Sequence, residues 1–202
     1  MKLIILGIQG SGKGTQSKLI ANAFNLKHIS TGDLLRQEVA SQSSLAKEIS
    51  SYIDNGKLVP DSLITKLLEK NLPKDNFLLD GYPRNIEQAK ILEKISSPDK
   101  LIYLELEEKE VFKRLDSRFS CKKCKIDYGL NKMPKQAGIC DVCKEKMEKR
   151  KDDKDVASIQ QRIQAFNNET LPLLNFYKKR VIKINGNQSV EMVFEEIKNA
   201  LN

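Results

Sequence analysis

The first fifteen residues, MKLIILGIQGSGKGT (1–15), decide the fold of this chain. The apolar run from Leu3 to Leu6 predicts a buried strand, and the glycine-rich segment after it leads into a helical pattern through Leu19 and Phe24. Glycines permit close backbone turns, so successive N–H groups can surround phosphate oxygens, with a helix N-terminus behind them. Strand, loop and helix in this order, with Lys13 at the end of the loop, predict a phosphate-binding loop, or P-loop.

The P-loop has one departure from the common pattern and one alternative interpretation. Gly7 to Lys13 fit the motif spacing, but Gly14 stands in the usual Ser/Thr position, and the hydroxyl comes one residue later, at Thr15. We expect Lys13 to reach the β and γ phosphates of a nucleotide. The alternative is a glycine-rich turn that binds nothing, but the flanking strand and helix favour the nucleotide site.

Strand and helix patterns alternate along the rest of the chain. Further apolar runs, each of which predicts a buried strand, occur around Ile29, at Phe77 to Leu79, at Leu101 to Leu106 and at Val181 to Ile184. The alternation is typical of a parallel sheet with helices on both faces, so the predicted fold class is α/β with a single core. Two segments, 30–59 and 117–153, interrupt the pattern and are interpreted as insertions that can move against the core.

The composition is that of an ordinary globular protein. Of the 202 residues, 40% are hydrophobic and 31% charged, which disfavours disordered and fibrous classes. The run from Leu3 to Ile8 is too short for a secretory leader, and no stretch has the roughly 20 apolar residues of a membrane span. We therefore expect a cytoplasmic protein without membrane contact. The net charge of +8 favours anionic partners, which include nucleic acids, anionic membranes and small phosphorylated ligands.

A second motif, FLLDGYPR (77–84), places a carboxylate beside the predicted P-loop. An apolar strand ends in Asp80, at the edge of a parallel sheet where ligands bind. There the carboxylate is expected to hold Mg²⁺ through water, as the second acidic group of P-loop enzymes does. The alternative is an aspartate at a strand end that only caps a turn.

All four cysteines lie in one short segment, as two CxxC pairs: Cys121 with Cys124, and Cys140 with Cys143. The spacing C-x2-C-x15-C-x2-C is in the range of zinc knuckles, and four thiolates complete a tetrahedral site with no open position. We expect a structural Zn²⁺; two disulfide bonds are the alternative, which a reducing compartment disfavours. The segment has few apolar residues, so a metal would supply the folding free energy that a small core lacks.

Six motifs occur in a fixed order along the chain: GIQGSGKGTQ, ISTGDLLR, GKLVPDSLI, FLLDGYPRNIEQA, RLDSRFSCKKC and RKDD. Together they resemble the adenylate kinase family, and the resemblance covers essentially the whole chain. It implies a P-loop-containing three-layer α/β fold, with a five-stranded parallel sheet in a core formed by residues 1–29, 60–116 and 154–202. It also implies an insertion that binds nucleoside monophosphate at 30–59 and a lid at 117–153 with the cysteine site.

The resemblance implies two nucleotide sites that meet at the P-loop. Thr31 and Gln88 favour AMP, because the similar uridylate/cytidylate kinases usually have Ala and Asn at these positions. The implied ATP-binding residues are Gly10, Ser11, Gly12, Lys13, Gly14, Thr15, Arg114, Arg118 and Gln188. The implied AMP-binding residues are Thr31, Arg36, Lys57, Leu58, Val59, Gly81, Tyr82, Pro83, Arg84, Gln88, Arg150 and Arg162. The implied catalytic residues are Lys13, Arg84, Arg118, Arg150 and Arg162.

The implied reaction is reversible phosphoryl transfer from MgATP to AMP, which gives two ADP. The reaction requires no protein base, because a phosphate monoester has a second pKa near 6 and is largely dianionic at neutral pH. His28, the only histidine, is therefore assigned a structural role. ATP, AMP and ADP are the implied partners of a monomer, with no nucleic acid.

Two other functions remain open from the sequence alone. A kinase of other nucleoside monophosphates, such as UMP or CMP, would share most of the same motifs. A zinc-ribbon nucleic-acid-binding protein would account for the basic segment that carries the cysteines. Aromatic residues, on which nucleic-acid bases would stack, make up only 6% of the chain, which disfavours this second alternative.

Overall fold

The computed structural model describes residues 1–41, 43–54, 59–124, 126–149, 153 and 156–202. A central parallel sheet is built from β1 (Lys2–Gly7), β2 (Lys27–Ser30), β3 (Phe77–Asp80), β4 (Lys100–Glu105) and β8 (Val181–Asn185). Its strand order is β2-β3-β1-β4-β8, and every neighbouring pair is parallel. The predicted five-stranded parallel sheet is therefore confirmed. Because β1 lies at the centre, the loop that follows it is at the middle of the carboxyl edge.

Helices connect and cover these strands. Their bounds are α1 (Lys13–Ala23), α2 (Thr31–Ala40), α3 (Ser44–Asp54), α4 (Asp61–Asn71), α5 (Ile86–Ser96), α6 (Glu108–Asp116), α7 (Val156–Ala165), α8 (Leu173–Phe176) and α9 (Val190–Leu201). A π-helical turn, Phe166–Thr170, separates α7 from α8. Polar side chains cap several helix starts: Ser30 accepts from Asp33 N–H, and Ser189 accepts from Met192 N–H.

The two faces of the sheet each support a hydrophobic cluster. Ile4 and Leu6 of β1 pack on one side, with residues of α4, α5 and α8. Leu3 and Ile5 point to the other side, where they pack with residues of α1 and α9. This alternation follows from the two-residue period of a strand, and burial on both faces explains the uninterrupted apolar run in the sequence. The three-layer arrangement is confirmed.

Most predicted strands agree with the observed ones, with one correction at a strand end. The run Leu101 to Leu106 was expected to be strand throughout, but β4 ends at Glu105. Leu106 instead packs under the start of α6, in a third cluster with Ile8, Val111 and Leu115. The apolar character of Leu106 thus reflects a helix contact rather than a ladder position. After Ser30, which ends β2, the part of segment 30–59 that the structure describes contains the two helices α2 and α3.

A small antiparallel sheet lies in the segment that carries the cysteines. It consists of β5 (Phe119–Cys121), β6 (Ile126–Tyr128) and β7 (Glu148–Lys149), in the order β6-β5-β7. Its buried cluster contains two cysteines, Tyr128 and Met147, whereas Val142 is 67% exposed. The bounds proposed for the lid, the insertion and the core stay predictions. Among the described residues, no helix is long and apolar enough to cross a membrane.

Gly81 gives a stability prediction, because it joins β3 to the loop that packs on α2. Its φ is +84°, and a Cβ at this position would lie 2.7 Å from Thr31 Oγ1, whose side chain is buried. Gly81→Ala should lower the free energy of unfolding by more than the roughly 1–2 kcal/mol that an L residue pays for a left-handed conformation. Gly138→Ala is the matched control, since its φ is +75° and no atom lies within 4 Å of the added Cβ. Urea unfolding of both variants tests this, and equal losses would contradict it.

Candidate active site

The loop after β1 has the backbone shape expected for a P-loop. Gly10 and Gly12 have positive φ angles, +84° and +94°, which explains the glycines at these positions. Gly12 is the N-cap of α1, and no side chain caps this helix start. An uncapped helix N-terminus carries partial positive charge and unpaired N–H groups, so it favours an anion.

Two side chains of the loop have buried polar atoms that lack a hydrogen-bond partner among the described residues. These atoms are Nε2 of Gln9 and Oγ of Ser11. Buried polar atoms without partners are uncommon, and at a binding site a ligand often provides the missing partner. A phosphate can accept from both side chains, so these atoms are consistent with the predicted ligand.

Lys13, at the start of α1, folds back onto the loop. Its Nζ donates to the carbonyl oxygens of Gly7 at 2.5 Å and Ile8 at 3.0 Å. Burial lowers the pKa of Lys13 to about 8, with Asp80 opposing this shift and nearby arginines adding to it. The lysine is thus held against the loop by two backbone carbonyl groups.

Asp80 ends β3, next to β1, and its side chain approaches the start of α1. Its Oδ2 lies 3.3 Å from Ser17 Oγ and 3.6 Å from His28 Nε2. A Cβ added to Gly14 would come 4.0 Å from the same oxygen, so the carboxylate faces the position where other P-loops have Ser or Thr. This placement fits the predicted role in holding Mg²⁺ through water. His28 packs against this carboxylate, which agrees with its structural assignment.

Three arginines approach Lys13 from different elements. The positive charges of Arg84, Arg118 and Arg162 all contribute to lowering the pKa of Lys13. Arg84 lies on the loop after β3, and its Nε donates to the carbonyl oxygen of Gly81 at 3.0 Å. Arg118 follows α6, and Arg162 is on α7. Four cationic groups therefore come together from sequence positions up to 149 residues apart.

Asp153 holds two of these arginines in place. Its side chain is fully buried, and its two oxygens accept bonds of 2.7 Å from Nε and Nη2 of Arg118. Nη1 of Arg162 lies 3.1 Å from Oδ1 of the same carboxylate. Two parallel hydrogen bonds fix the plane of a guanidinium group, so Asp153 holds the side chain of Arg118 in a single orientation.

The predicted ATP side is assembled around Arg114 of α6. Its guanidinium group donates to the carbonyl oxygens of Gly10, at 3.3 Å, and Gly186, at 2.8 Å. It thereby joins the P-loop to the loop after β8, which contains Gln188. The side-chain Nε2 of Gln188 donates to Asn185 O. The backbone carbonyl oxygen of Gln188 accepts from Asn131 Nδ2 at 3.2 Å. Arg114, Gly10 and the Gln188 loop are thus neighbours, as the resemblance requires.

The predicted AMP side is only partly brought together. Thr31 Oγ1 donates to Gly81 O at 3.0 Å, and Gln88 is 1% exposed at the start of α5. Arg36 is 56% exposed and pairs with Asp33 at 2.8 Å. Tyr82 is fully buried in the core, so its side chain supports the loop from below. Val59 packs against the same cluster, and Pro83 precedes Arg84 in the loop. The other predicted residues of this side lie outside the described residues: Lys57, Leu58 and Arg150.

The four cysteine sulfur atoms form a compact group. All four Sγ atoms lie within 4.8 Å of one another, and the cysteines are not joined by disulfide bonds. The separation of Cys121 Sγ from Cys143 Sγ is 3.4 Å, whereas a disulfide needs about 2 Å. The N–H of Cys143, the N–H of Val142 and the Tyr128 hydroxyl lower the pKa of Cys140 to about 6. The donor set and its geometry fit a tetrahedral metal ion.

Comparison with known proteins agrees with this geometry. The family model for adenylate kinase matches residues 5–182. An adenylate kinase of Borrelia turicatae is 42% identical over 200 aligned positions, and the match covers 96% of this chain and 95% of the relative. Adenylate kinases of Caldicellulosiruptor saccharolyticus and Thermoanaerobacter sp. are 36% and 38% identical over 213 aligned positions, gaps included. These matches cover all of this chain and 99% and 98% of the relatives.

The chain belongs to the adenylate kinase family. Adenylate kinases are ATP:AMP phosphotransferases, so both the fold class and the enzyme class inferred from the sequence are confirmed. The residue roles implied by the resemblance stay predictions, although the structure brings most of the residues to one edge of the sheet.

Some residues of this site were missed or undervalued by sequence reasoning. Asp153 lies in the RKDD motif, but the motif alone did not indicate that one carboxylate would pair with both Arg118 and Arg162. Met147 completes the buried cluster around the cysteines. Asp61 lies in the GKLVPDSLI motif and contacts Gln88. No local pattern marks the contact of Asp153 with Arg118 or that of Asp61 with Gln88, since 35 and 27 residues separate the partners.

Asp153→Asn tests the arginine cluster by removing a buried charge and keeping the side-chain shape. The two guanidinium groups would lose their common partner and repel each other. Since their side chains are 14% and 32% exposed, we expect a loss of about 2 kcal/mol in unfolding free energy, below the roughly 3–5 kcal/mol of fully buried pairs.

The control for this variant is Asp116→Asn, which removes an ion pair with Lys149. The Asp116 side chain is 85% exposed, so its loss should change the free energy of unfolding by less than about 1 kcal/mol. Chemical denaturation of both variants at the same pH and salt gives the comparison. Similar losses in the two variants would show that Asp153 does not pair with the arginines in solution.

Proposed function

We propose that the protein catalyses in-line transfer of the γ-phosphoryl group of MgATP to AMP, with Lys13, Arg84, Arg118, Arg150 and Arg162 as the catalytic residues. The observation that carries this proposal is the approach of Lys13 and three arginines to one glycine loop beside Asp80. Positive groups that are fixed before the reaction stabilise charge on a transferring phosphoryl group without reorganisation. Arg150 lies outside the described residues and enters by resemblance alone.

On the ATP side, the proposed roles follow the position of each group. The glycine loop from Gly10 to Thr15, including Ser11, Gly12 and Gly14, surrounds the phosphates with N–H groups. Lys13 exchanges its contacts with Gly7 and Ile8 for the β and γ phosphates. Arg114 and Gln188 border the adenine end, and Arg118 contacts the transferring group.

Mg²⁺ enters with ATP, and the proposed protein contact is Asp80 through water. Bound with ATP, Mg²⁺ would supply positive charge that offsets the negative charge developing on the phosphates. The carboxylate of Asp80 lies beside Ser17 and opposite Gly14, close to the loop that would hold these phosphates.

On the AMP side, the proposed site is formed by Thr31, Arg36, the segment Lys57 to Val59 and the loop from Gly81 to Arg84, with Gln88 against the base. An arginine offers a planar fork for a phosphate, which suits Arg36, Arg84 and Arg162. Arg36 pairs with Asp33 and is exposed, so a phosphate would have to compete for it. AMP is already largely dianionic at neutral pH and needs no protein base.

We further propose that the cysteines hold one structural Zn²⁺ and make segment 117–153 a rigid lid. Four thiolates leave no position for a substrate or a water, so the metal would not take part in the reaction. A lid that closes as a unit excludes water, which would otherwise compete with AMP for the phosphoryl group.

The compartment and assembly state are part of the same proposal. Four free thiols that bind metal require reducing conditions, which supports a cytoplasmic location. Both nucleotide sites are assigned within one chain, which supports a functional monomer. Light scattering of the purified protein at working concentration tests the second point.

A coupled assay for ADP formation tests the proposed function. We expect ADP to form rapidly only when ATP and AMP are both present, with UMP and CMP much poorer acceptors. Lys13→Ala should lower kcat at least about a hundredfold, because it removes a charge that contacts the transferring phosphate. Lys198→Ala, which removes a lysine that pairs with Glu195 on α9, is the control and should retain activity. Full activity of Lys13→Ala, or equal rates with UMP, would contradict the assignment.

Zinc content and melting together test the proposed metal. The purified protein should contain about one zinc ion per chain, and Cys140→Ser should reduce this content and lower the melting temperature, because metal binding contributes folding free energy. Ser120→Ala, next to a predicted ligand, keeps all four sulfurs and serves as the control. A metal-free preparation that melts at the same temperature as the loaded one would rule out the structural role.

A further inference from the structure

The side-chain amide of Gln88 is held at both ends. Its Oε1 accepts from the backbone N–H of Arg84 at 2.7 Å, and its Nε2 donates to Asp61 Oδ1 at 2.6 Å. The residue is 1% exposed, so solvent does not compete for either bond. The amide is therefore fixed before any ligand binds.

These two contacts leave one orientation for the amide. A backbone N–H can only donate, and an ionised carboxylate can only accept. If the amide of Gln88 turned by 180°, two donors would meet at Arg84 and two acceptors would meet at Asp61. Both partners thus require the oxygen to face Arg84 and the nitrogen to face Asp61.

Asp61 also binds the residue that begins the helix of Gln88. Its Oδ2 accepts from Asn85 Nδ2 at 2.7 Å, and Asn85 Oδ1 in turn caps α5 by accepting from Gln88 N–H at 2.8 Å. One carboxylate at the start of α4 therefore fixes both the helix start and the amide. Every polar atom in this small network has a partner of the correct type.

We propose that Asp61 is the positioning residue that makes the acceptor site select a 6-aminopurine over a 6-oxopurine. The inference rests on the proposed contact between Gln88 and the base. Adenine presents an N–H donor at position 6 and an acceptor at N1, whereas a 6-oxopurine presents an acceptor and a donor at these places. The locked amide has a second lone pair on Oε1 and a second hydrogen on Nε2, and of the two purine types this order matches only the 6-aminopurine.

Burial of Gln88 sets a condition for this contact. Because the amide is 1% exposed, a base reaches it only when neighbouring chain moves aside. Discrimination between the two purines then comes from the free-energy cost of turning the amide. A buried donor that faces another donor, or an acceptor that faces another acceptor, loses a hydrogen bond. Two such losses, at Arg84 and at Asp61, oppose the turn.

A simpler role for Asp61 is to stabilise α4 through its negative charge in the first helical turn. This role affects stability and would change the rates with all acceptors together. A purely stabilising role would therefore not change the relative rates with two purine monophosphates. The ratio of kcat/KM for AMP to kcat/KM for IMP, a 6-oxopurine monophosphate, therefore separates the two roles.

Asp61→Asn is the test variant. Its side chain can donate to the oxygen of a turned Gln88 and still accept from Asn85, so it removes one of the two barriers to turning. We expect the AMP to IMP ratio to fall by about tenfold, with the KM for MgATP unchanged. Asp61→Ser, whose hydroxyl both donates and accepts, is a second variant with the same expected direction if Asp61→Asn folds poorly.

Two further variants show whether Asp61 acts through Gln88. Gln88→Leu should lower the ratio by itself, and adding Asp61→Asn to Gln88→Leu should cause no further fall. Asp99→Asn is the matched control, because its carboxylate also accepts a bond of 2.7 Å, from Lys2 N–H, at the opposite edge of the sheet. It should leave the ratio unchanged.

The possible failures are distinguishable. If the wild-type protein makes no ADP from ATP and AMP, the proposed function fails and this inference fails with it. If the wild type uses AMP and IMP equally, or if Asp61→Asn and Asp61→Ser both keep the wild-type ratio, only the inference is overturned. A fall in the ratio that persists in the Gln88→Leu background would also overturn positioning through Gln88.

Discussion

Positive charge concentrated around one glycine loop is the constraint on which the rest of the structure depends. Lys13, Arg84, Arg118 and Arg162 repel one another, so the fold must supply negative charge to hold them together. Asp153 offsets two of the arginines from a buried position, and Asp80 acts beside the lysine. The remaining positive excess suits a ligand with several phosphates. Burial, together with this excess, lowers the pKa of Lys13 before such a ligand binds.

The second functional element solves a different problem, which is to build a stable unit from a segment with little hydrophobic surface. The cluster around Cys121 contains Tyr128, Cys140 and Met147, and it is far smaller than either core cluster of the main sheet. Its sulfur atoms converge to metal-binding distance, so a single ion would contribute what apolar burial does not. Stability and catalysis are thus assigned to separate groups, cysteines in one place and cations in the other.

The sequence predicts those features that depend on neighbouring residues. The run Leu3 to Leu6, the glycines at 10 and 12 and the CxxC pairs each determine local conformation or ligand spacing, and the structure agrees with all of them. The contacts of Asp153 with Arg118 and of Asp61 with Gln88 were not predictable, because 35 and 27 residues separate the partners. Only the fold brings such pairs together. The prediction that Leu106 belongs to a strand was wrong for a similar reason. Its apolar side chain alone does not indicate whether it packs within a strand or under a helix.

The position of β1 in the middle of the sheet has a consequence for how such an enzyme diversifies. β2 and β3 lie on one side of it and lead to Thr31 and to the loop from Gly81 to Arg84, which are assigned to the acceptor, whereas β4 and β8 lie on the other side and lead to Arg114 and Gln188. The loops assigned to the acceptor base and to the donor base thus follow different strands, so a substitution in one set of loops leaves the side chains of the other set in place.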